Sequence, residues 1–289
     1  MMRISLMLGP FDLPYVQRAL VEIALLSAGA GVLGTWVVLR GLSFYAHATA
    51  TATFPGLVLA AGLGFSPLLG AAATAGALAL GVAALGDRRD AGRDTATALV
   101  LVAALAAGVV LASDVFHSQG SIESLLFGSL LTIDLADQAA AAAVGALALI
   151  LGAVLGARWL AVGFDPAAAR ALGVRSPLFD AALLALVAAM AVVTVQAVGA
   201  LLAGALLVVP AATTRLLVDR VGRWQLATAA LALAEGAVGL WLAVELNAPP
   251  GATIAVLSAA VFAAVAIART VADARPGRLE NAPAGTAAP

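Results

Sequence analysis

RGLSFYAHATATATFPGLVLAAGLG, residues 40–64, governs how the rest of the chain is read. It lies within a long apolar region, yet it carries Tyr45, His47, threonines at 49, 51 and 53, and the Pro55-Gly56 pair. A helix facing only lipid gains nothing from these residues. Pro55 lacks a backbone donor and its ring clashes with the preceding turn, so the pattern predicts a helix broken near Pro55-Gly56. Backbone groups freed at membrane depth are tolerated where they are buried in protein or line a watery cavity. An ionisable residue inside a span points to a functional site. At 3.6 residues per turn, His47 and Thr51 share one face with residue 54, while Thr49 and Thr53 lie on another. The pathway candidates here are His47 and Thr51, with Tyr45, Thr49 and Thr53 as further contacts. The competing reading is a structural His47 bonded to a neighbouring helix.

Of the 289 residues, 63% are hydrophobic and 11% charged, against about 25% charged in a soluble domain. The chain is therefore expected to be an all-α polytopic membrane protein. Net charge is −1, so nothing points to nucleic acid. Cysteine is absent, which excludes disulfides and thiolate metal sites. Lysine is absent too, all fifteen basic residues being arginine. A P-loop requires a lysine, so this chain cannot hydrolyse ATP through one, and no Schiff base can form. Two histidines and scattered carboxylates offer no catalytic constellation.

A span needs roughly 20 apolar residues. On that measure nine spans are expected, at about 17–39, 43–64, 66–86, 95–113, 137–157, 178–198, 199–217, 225–246 and 251–268. An N-terminus outside and a C-terminus inside put thirteen of the fifteen arginines on the inner side, leaving Arg3 and Arg18 outside. The positive-inside rule selects that orientation. Residues 1–16 lack the core of a signal peptide and are kept as an N-terminal segment. A single transmembrane domain is expected over 17–268, and residues 269–289, rich in Ala, Pro and Gly, read as a disordered cytoplasmic tail. The outer segment 114–136 is acidic, and SIESLLFGSLL within it is too short to cross. It reads as a re-entrant or interfacial helix, either capping the bundle or forming a cation-attracting mouth or docking ledge.

The inner segment 161–176, AVGFDPAAARALGVRS, predicts a short capped helix at about 164–175. Asp165 is its N-cap, Pro166 its first-turn proline, Arg170 lies in its body and Gly173 ends it. In the seventh span Pro210 predicts a further break or hinge, and small residues at 199, 200, 203, 204 and 205 permit close helix approach. Glu22 and Glu235 sit within spans, where a lone carboxylate costs about 2.5–3.5 kcal/mol on insertion scales. Each is expected to face a partner or water.

Three stretches, in this order and spacing, resemble the permease subunits of ABC importers for zinc, manganese and iron. They are GVLGTWVVLRGLSFYAHATATATFPGLVLA, FDPAAARALGV, and VGALLAGALLVVPAATTRLL followed by PPGATIAVL. The resemblance covers about residues 17–268. It implies a dimeric pathway for a divalent metal ion, transported and not permanently bound, with no resident cofactor. It also implies an external metal-binding protein, a separate ATP-binding cassette ATPase, and a second permease copy, identical or similar. The segment carrying Phe164, Asp165, Pro166, Arg170, Leu172 and Gly173 would dock into that ATPase. The family's second span usually reads Gly-Asp-Ala-Ile/Leu-Ser-His-Ala-x-x-Pro-Gly. Aligned on Pro55-Gly56, the family's aspartate falls on His47 and its histidine on Thr51. Imidazole suits zinc and other late first-row cations, and carboxylate suits manganese. Other readings are an ABC permease for a metal chelate or cobalamin-like cargo, and an ion-coupled secondary transporter using Glu22 and Glu235. The bacterial inner membrane is the expected location.

Overall fold

The computed structural model describes residues 13–85, 93–115, 130–165, 176–200 and 202–273, with 128, 168 and 171 besides. The described residues form ten α-helices: α1 (Pro14–Leu39), α2 (Ser43–Ala52), α3 (Phe54–Leu63), α4 (Pro67–Leu85), α5 (Arg93–Val110), α6 (Leu135–Phe164), α7 (Ser176–Val198), α8 (Ala203–Arg215), α9 (Val221–Leu246) and α10 (Pro250–Asp273). Each expected span finds its helix, the second as the pair α2 and α3. Five are long and apolar enough to cross a bilayer (α1, α6, α7, α9, α10), and α4 and α5 are shorter apolar helices. In their most apolar stretches α1 is 72% buried and α7 61%, but α6 and α10 only 17%. Polarity cannot make that distinction, because both kinds of helix are apolar all round. α1 and α7 form the core, and α6 and α10 present bare apolar surface.

Small residues set the closest approaches. Along α6, a methyl added at Gly145, Gly152, Gly156 or Gly163 would meet Leu25, Val32, Trp36 or Arg40 of α1. The offset stays near 120 residues, so the two helices run parallel. Tyr45 and Leu184 pair at nearly the same offset as Arg40 and Asp180, making α2 and α7 parallel as well. α1 and α9 are antiparallel: Gly31 lies on Gln225 and Ala229, and Ile23 on Gly236. α9 and α10 form an antiparallel pair through Gly239 against Ile254 and Glu235 against Ser258.

The second rod breaks as expected, two residues before the proline. α2 stops at Ala52, and Thr53 closes it with a backbone bond to the Ala50 carbonyl at 3.2 Å and a side-chain bond to the same oxygen at 2.6 Å. Pro55 then occupies the first turn of α3, where its missing donor costs nothing. Pro210 behaves differently from the expectation. It lies inside α8, which runs unbroken to Arg215. Thr213 and Thr214 bond back to the carbonyls of Val209 and Pro210, both at 2.8 Å, supporting the turn after the ring. The interruption falls earlier, at Gly199, whose φ of 86° only glycine adopts freely. α8 is consequently about 20 Å long, shorter than the roughly 30 Å hydrocarbon core, and its lead-in residues Val198, Ala200 and Ala203 are buried. Gly128, at a φ of 75°, packs directly on this turn.

α6 begins earlier and ends later than its apolar stretch. Asp134 caps it by accepting from the backbone N–H groups of Ala136 (2.8 Å) and Asp137 (2.9 Å), and Asp137 returns the bond to the Asp134 N–H. Just before Asp134 a short 3₁₀ turn, Leu130–Thr132, is described. The remainder of the expected SIESLLFGSLL helix lies outside the described residues. α10 continues to Asp273, five residues into the expected tail, since the stretch from Arg269 to Asp273 contains neither proline nor glycine. The rest of the tail and residues 1–12 lie outside the description.

Candidate functional site: the broken second rod

α2 is enclosed by α4, α5, α7 and α8, and its two polar faces are separated. On one side Tyr45 is buried and donates to the Leu184 carbonyl of α7 at 3.1 Å, while Thr49 donates to the Tyr45 carbonyl at 2.8 Å. On the other side His47 lies against α8, where Gly204 leaves room for the His47 backbone and ring. Thr51 sits one turn above and donates to the His47 carbonyl at 3.1 Å. The structure therefore brings His47 and Thr51 together and keeps Tyr45 and Thr49 apart from them, the division of faces that helix periodicity gives.

Among the five pathway candidates on this rod, His47 alone is partly exposed. Thr49, Thr51 and Thr53 are buried, and each hydroxyl is turned onto a carbonyl of its own helix. Such hydroxyls retain acceptor lone pairs but have spent their protons. Pro55, Gly56 and Phe54 are buried. Gly56 meets Gly70 of α4 backbone to backbone, and Gly108 of α5 receives the Phe54 ring, so the break is seated by glycines on two neighbours. A cavity of about 550 Å³ lies elsewhere, between α4, α6 and α7, and its lining (Leu68, Ala72, Gly76, Val144, Val193 and neighbours) is apolar. It offers a cation no ligand. Among the described residues no group of three or more His, Cys, Asp and Glu could hold a metal ion.

Glu22 and Glu235 are both buried, but on α1 and α9, outside the helices that enclose α2. Glu235 accepts from Ser258 Oγ of α10 at 2.6 Å, while the second oxygen of each carboxyl has no hydrogen-bond partner. Of the expected cytoplasmic helix, Asp165 is the N-cap foreseen, accepting from the Ala168 N–H at 2.9 Å. Pro166, Arg170, Leu172 and Gly173 lie outside the described residues. Two features were not anticipated. Gly204 against His47 was visible only as one of several small residues. The contact of Arg40 with Asp180 at 2.5 Å had a signal in the sequence, a lone carboxylate at the start of an apolar span.

A bundle of long apolar helices with a rod broken in its interior has the architecture of a polytopic membrane protein. The chain belongs to the ABC 3 transport family, whose profile matches residues 12–269. It is 30% identical over 255 residues to the manganese import system permease protein ScaB of Streptococcus gordonii, covering 88% of this chain and 91% of that one. It is 27% identical over 254 residues to the manganese transport system membrane protein MntC of Listeria innocua, covering 88% and 90%. The solved structure of PsaBC from Streptococcus pneumoniae in complex with Fab superposes with a TM-score of 0.80 at 25% identity, covering 91% of this chain and 95% of that one. The chain is thus a multi-pass protein of the bacterial plasma membrane and an ABC permease, which sets aside the ion-coupled carrier built on Glu22 and Glu235.

Proposed function

We propose that the chain is the membrane subunit of an ATP-driven importer of divalent metal ions, with manganese, iron or zinc as cargo. The observation that carries this reading is its likeness, over nearly the whole length, to permeases named for manganese import. Nine crossings with the N-terminus outside fit the helix directions. α1 and α6, the first and fifth crossings, run parallel, as do α2 and α7 in the second and sixth, while α1 and α9 oppose each other as the first and eighth must. The arginine distribution supports the same orientation.

In this mechanism an external binding protein delivers the ion, which passes His47 and Thr51 on the α8 side of the broken rod. His47 supplies one imidazole nitrogen, and Thr51 a lone pair on an oxygen whose proton is already committed to the His47 carbonyl. Two such groups bind weakly, and conduction needs a site that releases its ion. Because His47, alone of the pathway candidates on this rod, is partly exposed in a single chain, a second copy, identical or homologous, completes the wall. ATP hydrolysis belongs to a separate subunit docked at the segment that Asp165 caps. Metal content and uptake of radiolabelled manganese in a deletion strain test the reading. Accumulation should fall at low external metal and return with the gene. Unchanged accumulation of manganese, iron and zinc would overturn it.

A further inference from the structure

Arg40 closes α1 at the inner end of the bundle, and its side chain is 11% exposed. One guanidinium nitrogen meets Asp180 Oδ1 on the first turns of α7, and the other donates to the Trp159 carbonyl near the end of α6 at 3.3 Å. These two helix ends flank the segment capped by Asp165. They are also joined directly, since Trp159 Nε1 donates to the Phe179 carbonyl at 2.9 Å and the Arg158 guanidinium lies 5.5 Å from the Phe179 ring centre. Gly163 leaves the space the arginine chain occupies, its added methyl falling 2.9 Å from Arg40 Cδ.

The turn from Arg40 into α2 is short and stiff. Gly41 has a φ of 65°, and backbone bonds run from Gly41 to Val38 (3.2 Å), from Leu42 to Val37 (2.8 Å) and from Ala46 to Leu42 (2.9 Å). His47 stands seven residues beyond Arg40, about 10 Å along a helix. Tyr45, on the opposite face, holds the Leu184 carbonyl one turn above Asp180. The lead-in to α2 and its first turn are therefore tied to α7 by two rungs, Arg40–Asp180 and Tyr45–Leu184.

We propose that Arg40 is a positioning residue that carries displacement of the α6 and α7 inner ends to the helix bearing His47. This rests on the reading of the Asp165-capped segment as the ATPase dock. A planar guanidinium serves because its fork reaches two helices at once in a fixed geometry. With the fork removed, the inner ends can still move with the ATPase, but α2 follows only through the Tyr45–Leu184 bond and its packing, so the movement reaches His47 incompletely. ATP is then hydrolysed without proportionate transport.

The test uses the full permease with its ATPase and binding protein in proteoliposomes, with manganese chloride as the probe. Both manganese taken up and ATP hydrolysed are measured, together with recovery of the ATPase on the tagged permease. Arg40→Gln should retain the ATPase and its hydrolysis while the manganese-to-ATP ratio falls by about tenfold, within the range typical of coupling between distant sites. Asp180→Asn, a milder change at a residue that is more exposed, guards against misfolding of the first variant and should lower the same ratio by a smaller factor. The exchange Arg40→Asp with Asp180→Arg should recover part of it. Parallel loss of uptake and hydrolysis in both single variants would mean a purely structural role, and an unchanged ratio would mean none; either overturns the proposal. If the parent chain itself recovers no ATPase, the function proposed above fails first, a result distinct from an altered ratio.

Discussion

Gly204→Ala probes the site at its tightest point. The added methyl would lie 2.6 Å from His47 Cα and 3.0 Å from both His47 Cβ and Nδ1. Carbon atoms settle at about 3.5–4.0 Å, so α2 and α8 must part by roughly 1 Å at this point. Neither helix has slack. α2 is held on its far sides by α4, α5 and α7, and α8 abuts Gly34 of α1 through Leu207 and Ala211. Overpacking of this kind costs about 1–3 kcal/mol. The intrinsic helical gain of alanine over glycine, up to about 1 kcal/mol in a helix interior, offsets part of it. A net loss of about 1–2 kcal/mol corresponds to a fall of roughly 2–8 °C in the unfolding midpoint of a chain of this size. Tryptophan fluorescence of the detergent-purified permease during heating reads that midpoint, and manganese uptake by cells carrying the variant reads the site. Gly76→Ala is the control, since nothing lies within 4 Å of its added methyl, and it should unfold no earlier than the parent. Wild-type midpoint and wild-type uptake in Gly204→Ala would refute the claim that α8 fixes His47 by direct contact.

Ser258→Ala removes a hydrogen bond to Glu235, a buried carboxyl whose other oxygen already lacks a partner. It should destabilise by about 1 kcal/mol and leave uptake per folded molecule unchanged; lost uptake at full stability would return Glu235 to the pathway. At the N-terminal end of α6, the backbone N–H of Asp137 is foremost in holding the Asp134 carboxyl below its ordinary range, aided by the Ala136 N–H and the Asp137 side chain. A carboxylate depressed in the folded state stabilises above its unfolded pKa, and that contribution is lost as pH falls through the folded one. Asp134→Ala should therefore lower the unfolding midpoint near neutral pH, with the difference from wild type shrinking in acid. A difference that grows in acid would contradict the capping account.

The apolar helices and the break were legible because each rests on local chemistry. Apolar length marks a crossing, proline denies a donor, and Asp165 announces a cap. The displacement of the break to Thr53 was not legible, since it depends on that hydroxyl folding back onto the Ala50 carbonyl. Nor was the persistence of α8 through Pro210, which the threonines of the next turn support. In the site, periodicity separated Thr49 and Thr53 from His47 and Thr51. It could not tell which face lay against α7 and which against α8, because that is decided by partners more than a hundred residues distant. Tyr45 illustrates the limit. Its residue type fits a pathway, and its geometry makes it a tie to α7. The same distance concealed the Arg40 fork, whose two anchoring points, the Trp159 carbonyl on α6 and Asp180 on α7, lie more than a hundred residues along the chain.

The central claim is that a divalent cation passes beside His47. Manganese uptake into proteoliposomes containing the His47→Ala permease with its ATPase and binding protein tests it most directly. The account predicts that uptake falls to background while the assembled complex is recovered intact and hydrolyses ATP. Uptake at the parent rate in that variant would contradict it.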